Sequence, residues 1–291
     1  MHAAAASAED ECPVSVMVFT LNEAVHLPAC LDSLQWCNDV VVVDSFSTDE
    51  TIAICHARGA RVVQRAFDGF GAQRNWAIDH AGAKHSWILI LDADERVPPQ
   101  LAAELRAIAK RNPDDEGAYR VRRRFYMWGR WLRHSSLYPT WVVRFIHRER
   151  VRYANRGHAE TQTVQGSLLD LQHDLIDENI KGIDEWFARQ NRYSRKEAEY
   201  EISQDGAFVG LSALFSRDPL LRRAAIKRLS RSIPFRGTVY FVYVYVWRRG
   251  FLDGRDGLMF CRMRALYQTE VEIKKFDLRR IASAEKDQRN V

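Results

Sequence analysis

Trp87-Ile88-Leu89-Ile90-Leu91-Asp92-Ala93-Asp94 is the stretch on which the fold turns. An unbroken apolar run without polar alternation predicts a strand buried on both faces, as in the middle of a sheet sandwiched between helices. Two carboxylates one residue apart leave that strand at its C-terminal end, with no basic residue before Arg96. Their charge therefore needs a partner. In open α/β sheets, ligands sit in the crevice beyond the C-terminal ends of the strands. A divalent cation there would bridge the carboxylates to a diphosphate, because hard cations take oxygen ligands and share them with substrate phosphates. The same residues also suit the acidic first turn of a helix over 100–111, entered through Pro98-Pro99.

Outward from this strand, the first half of the chain alternates two periods. Val14–Phe19, Val40–Val43 and Arg61–Gln64 read as strands, and 23–34, 48–58 and 71–83 as helices, with Ser47 or Thr48 as cap of the second and Gly59 as its end. Strands separated by helices of this length predict an α/β fold: a mostly parallel, Rossmann-like sheet with helices on both faces. Tyr119–Phe125, Val142–Ile146 and Thr161–Val164 are expected to extend the sheet. From about Ile176 the pattern changes to long helical stretches, 180–204 and 206–230, then an aromatic segment. The expected division is a loose tail over 1–12, an α/β domain over 13–175 and a mainly helical C-terminal extension over 176–291.

The chain has 291 residues and a net charge of +5, with the excess in patches. Arg120, Arg122, Arg123, Arg124, Arg130 and Arg133 form one; Arg217, Arg222, Arg223, Lys227, Arg228, Arg231 and Arg236 form another. Such patches suit phosphates, anionic headgroups or nucleic acid. The five cysteines, Cys12, Cys30, Cys37, Cys55 and Cys261, include no C-x-x-C pair. That argues against a disulfide framework or structural zinc and for a reducing compartment. The N-terminus has neither the basic nor the apolar region of a signal peptide. Val239–Trp247 is far shorter than the ~20 residues of a spanning helix, so the protein is expected to be soluble or peripheral.

Several loops carry candidate chemistry. Thr20-Leu21-Asn22-Glu23 follows the first strand, where polar side chains reach a base or ribose, although Asn22 by itself reads better as a helix cap. Asp44-Ser45-Phe46-Ser47-Thr48-Asp49 follows the second strand and suits either nucleoside recognition or a capped turn. Gly69 and Gly71 permit close backbone approach, and Arg74 beside Asn75 would reach a base carbonyl or a phosphate. Neither a G-x-G-x-x-G nor a G-x-x-x-x-G-K-[ST] motif occurs at these loops, which disfavours a dinucleotide fold and a P-loop.

Taken in order, these residues resemble glycosyltransferase family 2, whose members have a GT-A fold. The family's T-x-N-E, Asp-Ser/Gly-x-S-x-D, R/K-N and D-x-D elements are matched by Thr20–Glu23, Asp44–Asp49, Arg74-Asn75 and Asp92–Asp94. Within the family the chain resembles the lipopolysaccharide core β-1,4-glucosyltransferase branch. The carrying residues are Gly129, Ser135–Thr140, Arg144-Phe145-Ile146, Gly157–Glu160, Gly166, His173, Arg192-Tyr193-Ser194 and Gly250–Gly254. It departs at Leu137, Thr140 and Ala159.

The resemblance implies a GT-A nucleotide-sugar-binding catalytic domain and an inverting, metal-dependent transfer of a hexose, glucose for instance, from a UDP-sugar to a lipopolysaccharide core or related glycolipid. It implies Thr20, Asn22, Glu23, Asp44, Ser47, Arg74, Asp92, Ala93 and Arg144 at the nucleotide-sugar, with Arg144 paired either to the diphosphate or to an acidic loop. Asp94, with Asp92 and lastly His158, would hold Mg2+ or Mn2+. Glu160 is the candidate general base. His173 is a weaker metal or phosphate candidate, and Trp128, Trp131 and Trp141 are candidates for an acceptor platform. A basic helix opened by Asp218-Pro219 and the aromatic segment Tyr240–Trp247, read as helix through the resemblance, would meet an anionic membrane. The implied place is the cytoplasm, peripheral on the inner face of a bacterial inner membrane. Competing expectations are a polyprenyl phosphate, capsule or protein acceptor, an inactive membrane-associated scaffold, and a basic nucleic-acid-binding protein. The last would not need Asp44, Asp92, Asp94 and Glu160 together, so nucleic acid is not an expected partner.

Overall fold

Val14–Thr20 (β1), Val40–Asp44 (β2), Arg61–Gln64 (β3) and Trp87–Asp92 (β4) lie side by side and parallel in the order β3-β2-β1-β4. The computed structural model describes residues 12–156, 159–204 and 235–289. The sequence enforces the strands simply: Val, Ile and Leu at consecutive positions bury both faces. Val16, Val18, Leu89 and Leu91 join one core layer, and Met17, Val41, Ile88 and Ile90 the other. Leu27–Asp32 (α1) and Pro99–Arg111 (α4) cover the first layer through Leu27, Leu31, Leu101 and Leu105; Phe70–His80 (α3) covers the second through Ala77 and Ile78. Thr51–Ala57 (α2) adds Cys55 to the first.

Beyond β4 the sheet becomes mixed. Thr140–His147 (β8) pairs antiparallel with β4 and with Glu116–Met127 (β6), β6 pairs parallel with Ser167–Asn179 (β11), and Glu95–Arg96 (β5) closes the edge on β11. Arg130–Trp131 (β7) folds back on β6. The sequence-based expectation for 161–164 is corrected here. Ala159–Val164 (β10) does not extend this sheet but pairs with Val151–Arg156 (β9) in a separate ribbon. β11 runs to Asn179, past the boundary expected near 175.

The contacts divide the chain into two compact units, one of residues 1–132, 138–155 and 159–180, the other of 133–137, 156–158 and 181–291. In the second unit Ile183–Ser203 (α5) and Arg236–Val242 (α6) pack on the long helix Gly254–Arg289 (α7). α6 continues into Tyr243–Trp247 as a wider, π-type turn, so the aromatic segment is helical. Of the expected tail over 1–12, residues 1–11 lie outside the described residues, as does the basic helix after Asp218, whereas Cys12 is buried in the first core layer.

Two signatures far apart in sequence meet inside the second unit. The buried Asp253 carboxylate accepts hydrogen bonds from the backbone N–H of His134 (2.9 Å) and Ser135 (2.7 Å) and from Ser135 Oγ (2.7 Å). These three donors satisfy an oxygen that burial has taken out of water and tie the two segments together.

Candidate active site

The register of the parallel strands brings three loop openings to one level: Thr20 stands opposite Asp44, and Phe19 opposite Asp92. The loops after β1 and β2 are laced together. Asn22 N–H donates to Ser47 Oγ (2.8 Å), Thr48 N–H to Asn22 Oδ1 (2.8 Å), Glu23 N–H to Thr51 Oγ1 (2.8 Å) and Ala24 N–H to Asp49 Oδ2 (3.1 Å). Asn22 is thus a clamp between loops and not the cap of its own helix, which starts only at Leu27. Nor do Ser47 or Thr48 cap α2. The N-cap position is Glu50, which makes no side-chain cap bond, while Asp49 just before it accepts from Thr51 N–H at 3.0 Å.

Asp44 is 0% exposed. Its carboxylate accepts from Thr20 Oγ1 (2.9 Å), Ser47 N–H (2.9 Å), Gln64 Nε2 (3.1 Å) and Ser47 Oγ. Burial opposes its charge, but these donors prevail and hold it below the usual carboxylate range. Its action on any ligand therefore runs through the loop it shapes. Glu23 contacts His26 Nδ1 at 2.7 Å, and His26 Nε2 accepts from Ile180 N–H at 3.1 Å.

The centre of the site is ionic. Arg74, on α3 and 4% exposed, lies between the rings of Phe19 and Tyr153 at 5.7 and 5.6 Å and donates to Asp92 at 3.1 Å. It also pairs with Glu160, at the start of β10. Asn75 fixes this geometry from the next position, donating to Tyr153 O and accepting from Tyr153 N–H, both at 2.8 Å. From β8, Arg144 pairs with Asp92 and with buried Glu95 (2.7 Å), and Glu95 accepts from Asp92 N–H at 3.0 Å. The unmet charge expected at Asp92 is accordingly met by two guanidiniums. Burial works against ionised Asp92, yet Arg144 and Arg74 hold it well below the carboxylate range. The acidic-helix-turn alternative falls too: α4 starts at Pro99 without an acidic first turn, and β5 intervenes.

Asp94 follows in the same loop, with its carbonyl accepting from Glu178 N–H at 2.9 Å. Around it carboxylates outnumber guanidiniums. Burial, with the negative charges of Asp94, Glu95 and Asp92, pushes Asp177 up to about 8 although Arg123 stands 3.1 Å away. Glu95 is also raised, chiefly by burial. Among the described residues no three His, Cys, Asp or Glu side chains form a complete metal cage. A hard carboxylate in a loop shared with Asp92 and Glu95 does fit a divalent cation whose other ligands are phosphate oxygens. Ala93 is buried in the core between the two acids, and His158 lies outside the described residues.

Asp177 makes stability depend on pH. Its carboxyl is raised in the folded chain, so the stabilisation it confers is complete below its unfolded value near 4 and is lost as pH rises through about 8. Denaturant midpoints are expected to fall between these limits, and Asp177→Asn should flatten that slope.

Other expectations are redistributed. The arginine run on β6 is not an open anion patch: Arg120 pairs with Asp170 (2.6 Å), Arg122 and Arg124 with Asp174 (2.6 Å each), all on β11. Arg120 and Arg122 also cover Trp141, and Arg124 covers Trp131, at 5.0–5.6 Å, which leaves Trp128 as the exposed one of the three candidate platform indoles. His173 pairs with Glu104 at 2.8 Å. Gly71 is close to protein rather than ligand, since a Cβ there would fall 2.9 Å from the Ala154 carbonyl carbon. Sequence reading missed Glu95 and Tyr153. Only Glu95 left a signal, as the next acid after Asp94. Phe46 holds φ of 63° with its ring exposed, a strained backbone for a bulky residue within the Asp44 loop.

Residues 15–167 match the family model described as "Glycosyl transferase family 2". The chain is 25% identical over 283 residues to "Lipopolysaccharide core biosynthesis glycosyltransferase LpsC" of Rhizobium meliloti, covering 88% of this chain and 92% of that protein. It is 35% identical over 111 residues to an "Uncharacterized glycosyltransferase" of Rickettsia bellii, or 38% of this chain and 37% of the other. A mannosyltransferase from Pyrobaculum calidifontis, solved in complex with GDP-Man and Mn2+, superposes with a TM-score of 0.54 at 15% identity, over 91% of this chain and 87% of that one. At that identity the likeness is one of fold.

Proposed function

This chain belongs to glycosyl transferase family 2 and is a glycosyltransferase of GT-A fold, and on that premise we propose that it is an inverting, metal-dependent enzyme moving a hexose from a UDP-sugar to a lipopolysaccharide core or related glycolipid. The observation that carries this reading is the meeting of Arg74, Asp92 and Glu160 at the ends of the parallel strands, with Asp94 in the adjoining loop. Similarity to the lipopolysaccharide core enzyme along most of both chains supports the acceptor class. All five cysteines are unpaired, which agrees with a cytoplasmic site at the inner membrane.

Inverting transfer is one displacement: the acceptor hydroxyl attacks the anomeric carbon as the bond to the diphosphate breaks. Thr20, Asn22, Glu23, Asp44 and Ser47 hold the nucleoside loops in one shape. Arg74 exchanges part of its carboxylate pairing for the diphosphate, and Asp92 and Arg144 keep it placed. Glu160 takes the hydroxyl proton. Mg2+ or Mn2+, held by Asp94 and phosphate oxygens of the donor, would supply charge neutralisation for the leaving nucleoside diphosphate.

Calorimetric titration of UDP tests the donor half. Binding is expected with Mn2+ present, and Asp94→Ala should weaken it by at least about tenfold, a loss of a single metal-ligand interaction. UDP binding that ignores both Mn2+ and Asp94 would overturn the metal assignment, and no UDP binding at all would overturn the donor. Analysis of products from UDP-hexoses with lipopolysaccharide core, polyprenyl phosphate and capsule acceptors separates the acceptor classes.

A further inference from the structure

Residues 235–252 contain no Asp or Glu but include Arg236, Arg248 and Arg249. Phe235, Val239, Val242, Tyr243, Val246 and Trp247 are all exposed, Phe235 at 77% and Trp247 at 80%. They recur every three or four residues, which puts them on one face of α6 and the turn that continues it. The other side of the same helix is packed. A Cβ on Gly237 would fall 2.1 Å from Thr269 Oγ1 of α7, and Val244 is buried. The helix is therefore docked through its narrow face and turns its apolar stripe outward. Phe251 and Leu252 continue the exposed surface in the short turn Gly250–Asp253, which Asp253 fixes through His134 and Ser135. Arg248 and Arg249 stand exposed at the end of the stripe, with no ion pair among the described residues.

We propose that this stripe is a membrane-contact surface whose partner is the interface of a bilayer containing anionic lipid. Trp247, Phe235 and the valines would lie at the level of the upper acyl chains, and Arg248 and Arg249 would pair with lipid phosphates. No described helix is long and apolar enough to cross a membrane, so the contact is interfacial. Charge decides against a second copy of the chain. Isologous pairing would bring like patches together, and nothing acidic in 235–252 could face the arginines across the axis. The inference extends the glycolipid reading above by giving the acceptor's membrane a place to meet the protein, but it does not require sugar transfer.

Vesicle flotation of the full chain tests it. Capture by phosphatidylcholine vesicles containing about a third phosphatidylglycerol is expected, weaker without the anionic lipid and falling with salt. Val246→Ser with Trp247→Ser should lower partition about tenfold through lost apolar contact. Arg248→Gln with Arg249→Gln should lower it about tenfold on anionic vesicles while leaving neutral ones unchanged. Both variants should keep the wild-type melting temperature and UDP binding, since neither pair belongs to the donor site. Absence of capture by anionic vesicles, capture indifferent to both variants, or a dimer in light scattering that the Val246/Trp247 variant dissolves would each overturn the proposal. UDP binding without vesicle capture sinks the surface alone; vesicle capture without UDP binding sinks the transfer reading and leaves the surface standing.

Discussion

Arg144→Leu is expected to lower the folding free energy by about 3–5 kcal/mol, the range for removing one partner of a buried ionic cluster. Arg144 is buried and reaches Glu95 through Nη2 at 2.7 Å and Nε at 3.2 Å while also pairing with Asp92. Leucine fills much of the space but, among the described residues, leaves Glu95 with the Asp92 N–H as its one hydrogen-bond donor, and Asp92 with Arg74 as its ion-pair partner. The molecule's remaining escape is protonation. Burial already raises Glu95 in the intact cluster, and loss of Arg144 removes the larger of the two guanidinium charges that oppose that rise, leaving Arg123.

This gives the defect a pH signature with a definite sign. A carboxyl raised in the folded chain stabilises below its unfolded value and loses that contribution as pH climbs through the folded one. The Arg144→Leu deficit should therefore be smallest near pH 4 to 5 and grow toward pH 8. Urea midpoints across that range measure it. Adding Glu95→Leu removes the stranded acid and should recover most of the loss at neutral pH, because apolar replacement of a whole buried pair is often neutral or better. A single variant as stable as the parent, or one whose deficit ignores pH, would show that the cluster does not hold the loop after β4.

The fold was legible where local pattern and burial agree. Val40–Val43 and Trp87–Leu91 are apolar at every position because both faces of their strands are covered, and their short length and β-branched content favour strand over buried helix. Pairing over long range was not legible. Asp92 lies 18 residues from Arg74 and 52 from Arg144, and nothing local distinguishes a carboxylate awaiting a cation from one awaiting an arginine. β11 escaped notice for a related reason. Asp170, Asp174 and Asp177 break its apolar pattern because they serve the arginines of β6, so strand and basic run conceal each other when each is read alone. The motif glycines permit close backbone approach, and at Gly71 the backbone that approaches is β9, which carries the Tyr153 ring beneath Arg74. The residue types of the site were in the sequence; the network that sets their charge was not.

That network frames the second large effect. Glu160→Gln should leave donor affinity within about threefold and cut transfer by about 10²–10⁴, the span of a general base. Glutamine keeps the shape and still offers Arg74 an acceptor, and Arg74 retains Asp92, so the donor loops should not move. What glutamine cannot do is accept the hydroxyl proton. In the structure the Glu160 carboxylate is held by Arg74, and a carboxylate neutralised by a guanidinium is a poor base. The proposed exchange of Arg74 toward the diphosphate loosens that pairing as the donor binds, which ties readiness of the base to occupancy of the donor site. Calorimetry with UDP and initial rates with a UDP-hexose separate the two quantities. Arg74→Lys sharpens the comparison, because it should weaken donor binding, through loss of the planar fork, more than Glu160→Gln does. Transfer near the parental rate in Glu160→Gln would remove the base assignment, and equal losses in donor affinity and turnover would reduce Glu160 to a strut for Arg74.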